Sequence, residues 1–423
     1  MRIVAADSLR WSEIVRPGDV VMWNQACGEP QALSESLMAQ RHQIGGRFTV
    51  FLATNFSRTL AAEQTDVVDF CGTAGTAGIR PLSRAGLIDI YPIHYSRLPG
   101  MIERGEIRCD VALVQTTRPD ENGALSSGIV ADYIVSAMAK ARTVVAELNA
   151  RTPWTTCQRE LTRDDIDIAI ETDRPLVSIK RSPIGDIERR IAANVIDLVP
   201  DRACVQPGIG AIPDAILEAL VHHRDLGIHG GTISDGVMEL MKSGAATNAF
   251  KEVDRGVTIT GNMIGSEALF RFAHRNPALR FMPPAYTHAP EVLAALSNFM
   301  SINSALEVDL TGQVNSEAIG GDYVGTIGGQ VDYVRGARLS PGGRSVIALA
   351  STTPDGKGSR IKSALSGPVT TPRSDVDVIA TEWGRAELAG KTLRQRAAAM
   401  VAIAHPDYRE ELKRAARNVL GRA

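Results

Sequence analysis

Little in this chain of 423 residues stands out by excess, and what it lacks narrows its function first. Charge of one sign is missing. The 46 basic and 48 acidic side chains leave a net charge of −2, so no broad field exists to hold nucleic acid or an anionic membrane. Long apolar runs are missing too. Nothing approaches the ~20 consecutive apolar residues that a bilayer span needs. At the start of the chain, Asp7, Arg10 and Glu13 interrupt the apolar stretch, so no signal peptide is read there. The five cysteines (Cys27, Cys71, Cys109, Cys157 and Cys204) form no CxxC pair. That argues for a reduced, cytoplasmic chain without a disulfide framework or zinc knuckle. HExxH is absent and the eight histidines are dispersed. His222 and His223 are adjacent, point to different faces of a helix and cannot share an ion. No metal site is expected.

What is there is an α/β alternation. "DVVMW", "RFTVFLA", "DVALVQT" and "ARTVVAEL" read as strands in the first half. "ACVQPGIG", "GVTITG", "RSVIALAST" and "SDVDVIAT" read as strands in the second. "IPDAILEALVHHRDLG" reads as a helix, with Pro213 in its first turn, an apolar face of Ile216, Leu217, Leu220 and Val221, and Gly227 past its end. "IGDIERRIAANVIDLV" is helical, and the chain's last stretch reads as two helices broken before Pro406. The length implies two domains. The polar, proline-containing segment from about Thr152 to Arg190 marks the boundary, giving domains of residues 1–185 and 186–423.

Four glycine-rich stretches invite a functional reading. "NQACGEPQAL" places Glu29 after a strand and before a helix, where open α/β sheets hold ligands. The plainer reading is a turn whose carboxylate favours the helix dipole. Cys27 in the same stretch is a possible nucleophile or, more commonly, a small buried residue. "QPGIGAIPDAIL" carries Gly208 and Gly210 before a helix, but lacks both the third glycine of GxGxxG and the Walker lysine. In "YVGTIGGQVDYVRGA", Gly328 and Gly329 precede Gln330, and bare glycines let a ligand approach the main chain. A bulged β-hairpin would use glycine equally well. "GIHGGTISDG" sets Gly230 and Gly231 after His229. His229 is either a general base or a residue that orients the turn. No Gly-x-Ser-x-Gly elbow accompanies these loops.

Taken in order, "GDVVMWNQACGEPQAL", "RPDENGALSSG", "QPGIGAIPDAIL", "GIHGGTISDGVMELMKSGAATN", "ALEVDLTGQVNSEAIGG", "GTIGGQVDYVRGARLSPGGRSVIAL" and "ATEWGRAEL" resemble the acetyl-CoA hydrolase/transferase family. That family includes the 4-hydroxybutyrate CoA-transferases. The likeness covers nearly the whole chain, and "DLTGQVN" followed by "GGQVDYVRGA" is its most specific part. The resemblance implies two open α/β domains of the CoA-transferase type facing each other across a cleft. It implies an acyl-CoA thioester as substrate, with coenzyme A arriving as part of the substrate and held mostly by the second domain. A carboxylic acid acceptor, a homodimer and no permanently bound cofactor belong to the same expectation. By position, Gly328, Gly329 and Gln330 would line the thioester site, with Gly208, Gly210, Gly230 and Gly231 near it. Gln206 and Asn303 fall in matching stretches without an assigned contact.

One departure matters. Transferases of this family usually carry His-Thr-Glu where this chain has His229-Gly230-Gly231. Their glutamate attacks the thioester and becomes acylated. Gly231 has no carboxylate, so that covalent route is closed there. Asp235 is the nearest acid, but it belongs to the start of the following helix. Three readings result. The first is a hydrolytic enzyme, acting on the thioester or on a ring or carbon–carbon bond of a CoA ester, with Glu29 and His229 as candidate acid–base groups. The second is a transferase using Glu29 as a displaced nucleophile. The third is a non-catalytic acyl-CoA-binding protein. Loss of the glutamate is also expected to free space for a bulkier acyl group.

Overall fold

The computed structural model describes residues 1–419, which fall into two compact units. The first comprises Met1–Lys180, Ile259–Thr287 and Tyr323–Gly328. The second comprises Arg181–Thr258, His288–Asp322 and the chain from Gly329 onward. Residues 259–287 and 323–328 thus pack with the first unit although they follow it by a long way in sequence.

The first unit is built on an eight-stranded sheet: β1 (Arg2–Val4), β2 (Val20–Trp23), β3 (Phe48–Leu52), β4 (Val68–Gly72), β5 (Ile88–Ile90), β6 (Val111–Thr116), β7 (Thr143–Asn149) and β8 (Ile168–Thr172). The order is β1-β8-β7-β6-β2-β3-β4-β5 and every pairing is parallel. A parallel sheet is covered on both faces, so its strands read as apolar runs: all six residues of β6 are buried. The segment read as a polar boundary contributes β8, which pairs with both β1 and β7. Its apolar centre, Ile168-Ala169-Ile170, is flanked by the polar Asp167 and Glu171, and it lies one strand in from the sheet edge.

Strand order reverses at β2, which has β6 on one side and β3 on the other. Loops beyond the carboxyl ends of strands at such a reversal are where open α/β sheets hold ligands. There the Gln115 N–H of β6 donates to the side-chain Oδ1 of Asn24 at 2.8 Å. Helix Gln31–Gln40 follows β2 and buries Leu33 and Leu37, one turn apart, in the core with Trp11, Trp23, Phe48 and Val50. Each buried leucine contributes about 2 kcal/mol. The helix has no capping side chain of its own at Pro30. Glu147 of β7 supplies the missing acceptor, taking the Ala32 N–H at 2.9 Å.

The second unit carries a six-stranded sheet: β9 (Cys204–Pro207), β10 (Gly227–Ile228), β11 (Phe299–Ser304), β12 (Arg344–Ala348), β13 (Val378–Thr381) and β14 (Gly384–Glu387). The order is β10-β9-β11-β12-β13-β14. All pairings are parallel except the closing hairpin of β13 and β14. The two last helices are Leu393–Ala402 and Pro406–Val419, broken before Pro406 as the sequence predicts. Thr392 and Gln395 form a reciprocal capping box at the first of them, with the Thr392 N–H on Gln395 Oε1 at 2.9 Å. The stretch after Gly328 is not a bulged hairpin. It enters helix Gln330–Leu339, because Val331, Val334 and Ala337 recur at helical spacing and bury one face. Among the described residues, no helix is long and apolar enough to cross a membrane, and no cluster of three or more potential ligands is placed to hold a metal ion.

Candidate active site

In the second unit, β10 ends at Ile228 and delivers the loop His229–Gly231. Its position is fixed from both sides. The Ile228 N–H donates to Asn248 Oδ1 at 2.8 Å. The ammonium of Lys251, buried at 2% exposure, donates to the Ile228 carbonyl at 3.1 Å and to the Val257 carbonyl at 2.7 Å. His229 itself has no exposed surface, and its N–H continues the ladder to the Val205 carbonyl at 3.1 Å. Beside it, the Gln206 side chain makes four hydrogen bonds, the longest from its Nε2 to Asn303 Oδ1 at 3.4 Å. Ser301 Oγ and Asn303 Nδ2 each donate to its Oε1 at 3.0 Å, and its Nε2 donates to the Pro207 carbonyl at 2.9 Å. A Cβ on Gly230 would stand 3.3 Å from Gln206 Cγ, so the two stretches touch.

Gly231 is partly exposed, and its side-chain direction is occupied. A Cβ there would lie 2.9 Å from His288 Cε1, 3.0 Å from Tyr333 Oη and 3.3 Å from His288 Nε2. The expected space for a larger acyl group is therefore not empty. An imidazole and a phenol fill it. Their rings lie 4.5 Å apart at 36°, and Tyr333 Oη is 3.3 Å from His288 Nδ1. Gly329, which opens helix Gln330–Leu339, approaches the same imidazole so closely that a Cβ would overlap Nε2. Only glycine at both positions leaves room for the ring. His288 is 4% and Tyr333 3% exposed, and burial pushes the imidazole pKa down to about 3. At physiological pH the ring is neutral.

The other glycines have local roles. The Gly208 N–H donates to the Ile302 carbonyl at 2.8 Å. Gly210 takes φ +120° at the start of helix Ala211–Ala219, a conformation side chains seldom adopt. Gly328 lies in the first unit with φ +55°, and its N–H donates to Thr326 Oγ1 at 3.1 Å. Gln330 is committed at both ends of its amide, accepting from Ser316 Oγ at 2.9 Å and donating to Thr371 Oγ1 at 3.0 Å. Asp235 is the first residue of helix Asp235–Lys242, as expected.

In the first unit, Glu29 is 2% exposed. Its carboxylate does not serve the helix that follows it. It accepts the Phe56 N–H at 2.5 Å and the Ser57 N–H at 3.2 Å, bracing the loop after β3. Burial raises its pKa against those bonds. Cys27, beside it, is fully buried. A second acidic centre sits at the same edge of the sheet. Gln25 Nε2 donates to Tyr95 Oη at 2.5 Å, and both side chains lie beside the carboxyl group of Asp132. Asp132 also accepts the Ile134 N–H at 3.1 Å. Burial lifts its pKa to about 6.

Comparison with known proteins gives this arrangement a family. Residues 8–195 match the acetyl-CoA hydrolase/transferase N-terminal domain, and residues 265–416 match the C-terminal domain. The chain belongs to the acetyl-CoA hydrolase/transferase family. It is 41% identical over 335 residues to a 4-hydroxybutyrate coenzyme A transferase of Clostridium kluyveri, covering 79% of this chain and 78% of that one. It is 36% identical over 412 residues to a succinyl-CoA:cyclohexane-1-carboxylate CoA transferase of Geobacter metallireducens, covering 96% and 93%. The crystal structure of RipA from Yersinia pestis superimposes with a TM-score of 0.93 at 30% identity, covering 99% of this chain and 98% of that one. As a member of the acetyl-CoA hydrolase/transferase family the protein is an enzyme acting on acyl-CoA.

Within this family member, the sequence reading placed Gly231 and Gly329 near one point, and the structure brings both against His288. His288 and Tyr333 themselves were missed. "YTHAP" carries no motif, and Tyr333 lies within "GGQVDYVRGA" with no role assigned to it. The available signal was the pair of glycines: a chain that omits two side chains facing one point leaves room for a third.

Proposed function

We propose that this acetyl-CoA hydrolase/transferase family enzyme releases coenzyme A from an acyl-CoA by hydrolysis, with water rather than a protein carboxylate as the nucleophile. The observation that carries the reading is at Gly231. By the resemblance, Gly231 stands where transferases of the family carry a glutamate, and the side chains nearest to its Cβ direction are His288 and Tyr333, not an acid. Water adds to the thioester carbonyl carbon, the carbon–sulfur bond breaks, and the products are a carboxylate, the CoA thiol and a proton. In a larger CoA ester, water adding to a ring ketone would instead break a carbon–carbon bond and leave the thioester intact. Coenzyme A enters as part of the substrate. Glu29, whose carboxyl group is pushed toward its protonated form, and His229 are the candidates for handling protons.

A second reading is transfer to a carboxylic acid through Glu29, and the activities printed for the Clostridium and Geobacter relatives favour it. Against it, the Glu29 carboxylate already accepts two backbone N–H groups. The deciding experiment measures thiol release from a panel of acyl-CoAs with and without added carboxylic acids, and adds borohydride during turnover. Release that needs no acid, with no trapped glutamate, is expected. Release only in the presence of an acceptor acid, with a reduced glutamyl residue, would replace hydrolysis by transfer.

A further inference from the structure

We infer that the first unit carries a binding site for a small, uncharged molecule with a carbonyl oxygen, and that Asn24 Nδ2 is the donor that receives this oxygen. The inference goes beyond the proposed hydrolysis and does not depend on it. It is carried by a cavity of about 410 Å³ lined by residues of the first unit, large enough for a small organic ligand. The cavity lies beside the carboxyl ends of β2 and β6, where the strand order reverses and open α/β sheets hold ligands. Helix Ile134–Lys140 packs against both strands and forms one wall. Strand alternation decides which side chains reach the cavity. Trp23 of β2 and Leu113 of β6 are paired and point to the opposite face, into the core with Leu33 and Leu37. Asn24 prolongs β2, its N–H donating to the Leu113 carbonyl at 3.3 Å, and so points to the cavity face together with Val114.

Asn24 is 1% exposed, and its amide is oriented. Oδ1 accepts the Gln115 N–H at 2.8 Å, which makes Nδ2 the end left for a ligand. Among the described residues Nδ2 has no hydrogen-bond partner, and an oxygen placed in the cavity answers it. The other polar groups of the wall are committed. Thr116 Oγ1 donates to the Thr117 carbonyl at 3.0 Å, and Ser127 Oγ and Cys157 Sγ bond one another at 3.0 Å. Gln115 turns its side chain to the opposite face, where its Oε1 accepts from Asn149 Nδ2 at 2.8 Å. Gln158 is exposed to solvent. Charge is answered as well. Arg159 donates from Nη1 and Nη2 to the two carboxylate oxygens of Asp165, at 2.9 and 2.6 Å. An anion entering the cavity would lose its hydration and meet no unpaired cation. Much of the remaining wall is apolar, from Val114, Ile134, Val135, Met138 and Leu161, and favours a hydrocarbon body. A carbonyl accepts from Asn24 without bringing a donor of its own that would need an acceptor in turn.

The test titrates the full-length protein with cyclohexanone, followed by saturation-transfer NMR on the ligand. The titration is repeated with cyclohexanecarboxylate and cyclohexylammonium, which keep the ring and exchange the ketone for a charge. Saturable binding of the ketone, at least about tenfold tighter than that of either ion, is expected. Two variants locate the ligand. Asn24→Asp keeps an oxygen for the Gln115 N–H but replaces the donor by an acceptor, and at pH 8 it should weaken ketone binding about tenfold or more. Met138→Trp extends a side chain of the helical wall into the cavity and should abolish binding. A circular dichroism spectrum like that of wild type shows that each variant has folded. Where one fails to fold, the ligand series and the other variant decide. The assignment is overturned by absence of saturable cyclohexanone binding, or by equal or tighter binding of either ion. Unchanged ketone affinity in folded Asn24→Asp or Met138→Trp would overturn it too. A requirement for an acceptor acid in the thiol-release experiment would refute hydrolysis alone and leave these outcomes intact.

Discussion

Asp132→Asn is expected to make the protein more stable at neutral pH, and the gain is calculable. The Asp132 carboxyl group is 1% exposed, and burial lifts its pKa from the ordinary 3.8 to about 6. Between those values the native state holds a proton that the unfolded chain has lost. The native state therefore binds more protons, and stability falls as pH rises. The stability contributed by the protonated acid is fully present below about pH 4. It is lost by the time pH has risen through about 6, and the loss is constant above that. At ~1.4 kcal/mol per pKa unit, a shift of about two units costs about 3 kcal/mol at pH 7 and above. Asparagine has nearly the same shape and keeps an oxygen for the Ile134 N–H, which lies 3.1 Å from Oδ1. It carries no charge at any pH. Urea unfolding of both proteins from pH 4 to pH 8 isolates the effect, because every other titrating group cancels in the difference. The difference should be near zero at pH 4, open between pH 4 and 6, and level off in favour of the variant. A difference independent of pH, or a variant less stable than wild type at pH 8, would refute the argument. A variant that is stabilised but inactive would mark Asp132 as a charge retained for chemistry at the cost of stability.

Two further outcomes follow from the site. Glu29→Gln keeps an oxygen for the Phe56 and Ser57 N–H groups, so the variant should fold with a circular dichroism spectrum like that of wild type. Its acyl-CoA turnover should fall about 100-fold if the carboxyl group handles a proton, and undiminished turnover would remove Glu29 from the chemistry. Lys251→Met should lower stability by about 1–3 kcal/mol in thermal or urea unfolding, because it strips the donor from two buried carbonyls, those of Ile228 and Val257. Since Ile228 leads directly into His229–Gly231, turnover should fall with it.

The parallel sheets were legible because their strands are buried on both faces and announce themselves as apolar runs. β2, β3 and β6 of the first unit and β9, β12 and β13 of the second lie within stretches read as strands, and β7 overruns its stretch by one residue, Asn149. The exceptions are instructive. "DIDIAIET" falls in the segment read as a domain boundary because its polar residues are frequent, yet Ile168 and Ile170 place it in the sheet as β8. The stretch after Gly328 allowed a hairpin, and the helix became visible only in the burial of Val331, Val334 and Ala337. The glycines could be picked out in the sequence because a missing side chain is a local fact. The closeness of His288 to Gly231 and Gly329 could not, because no spacing along the chain encodes it. Glu29 was found by position, but its bonds to Phe56 and Ser57 depend on how β2 and β3 pair.

A Cβ at position 231 would stand 2.9 Å from His288 Cε1 and one at position 329 would overlap Nε2, so a side chain at either place requires the imidazole to shift. Substitutions at positions 231, 288 and 329 are therefore coupled, and their effects on stability are expected to be non-additive.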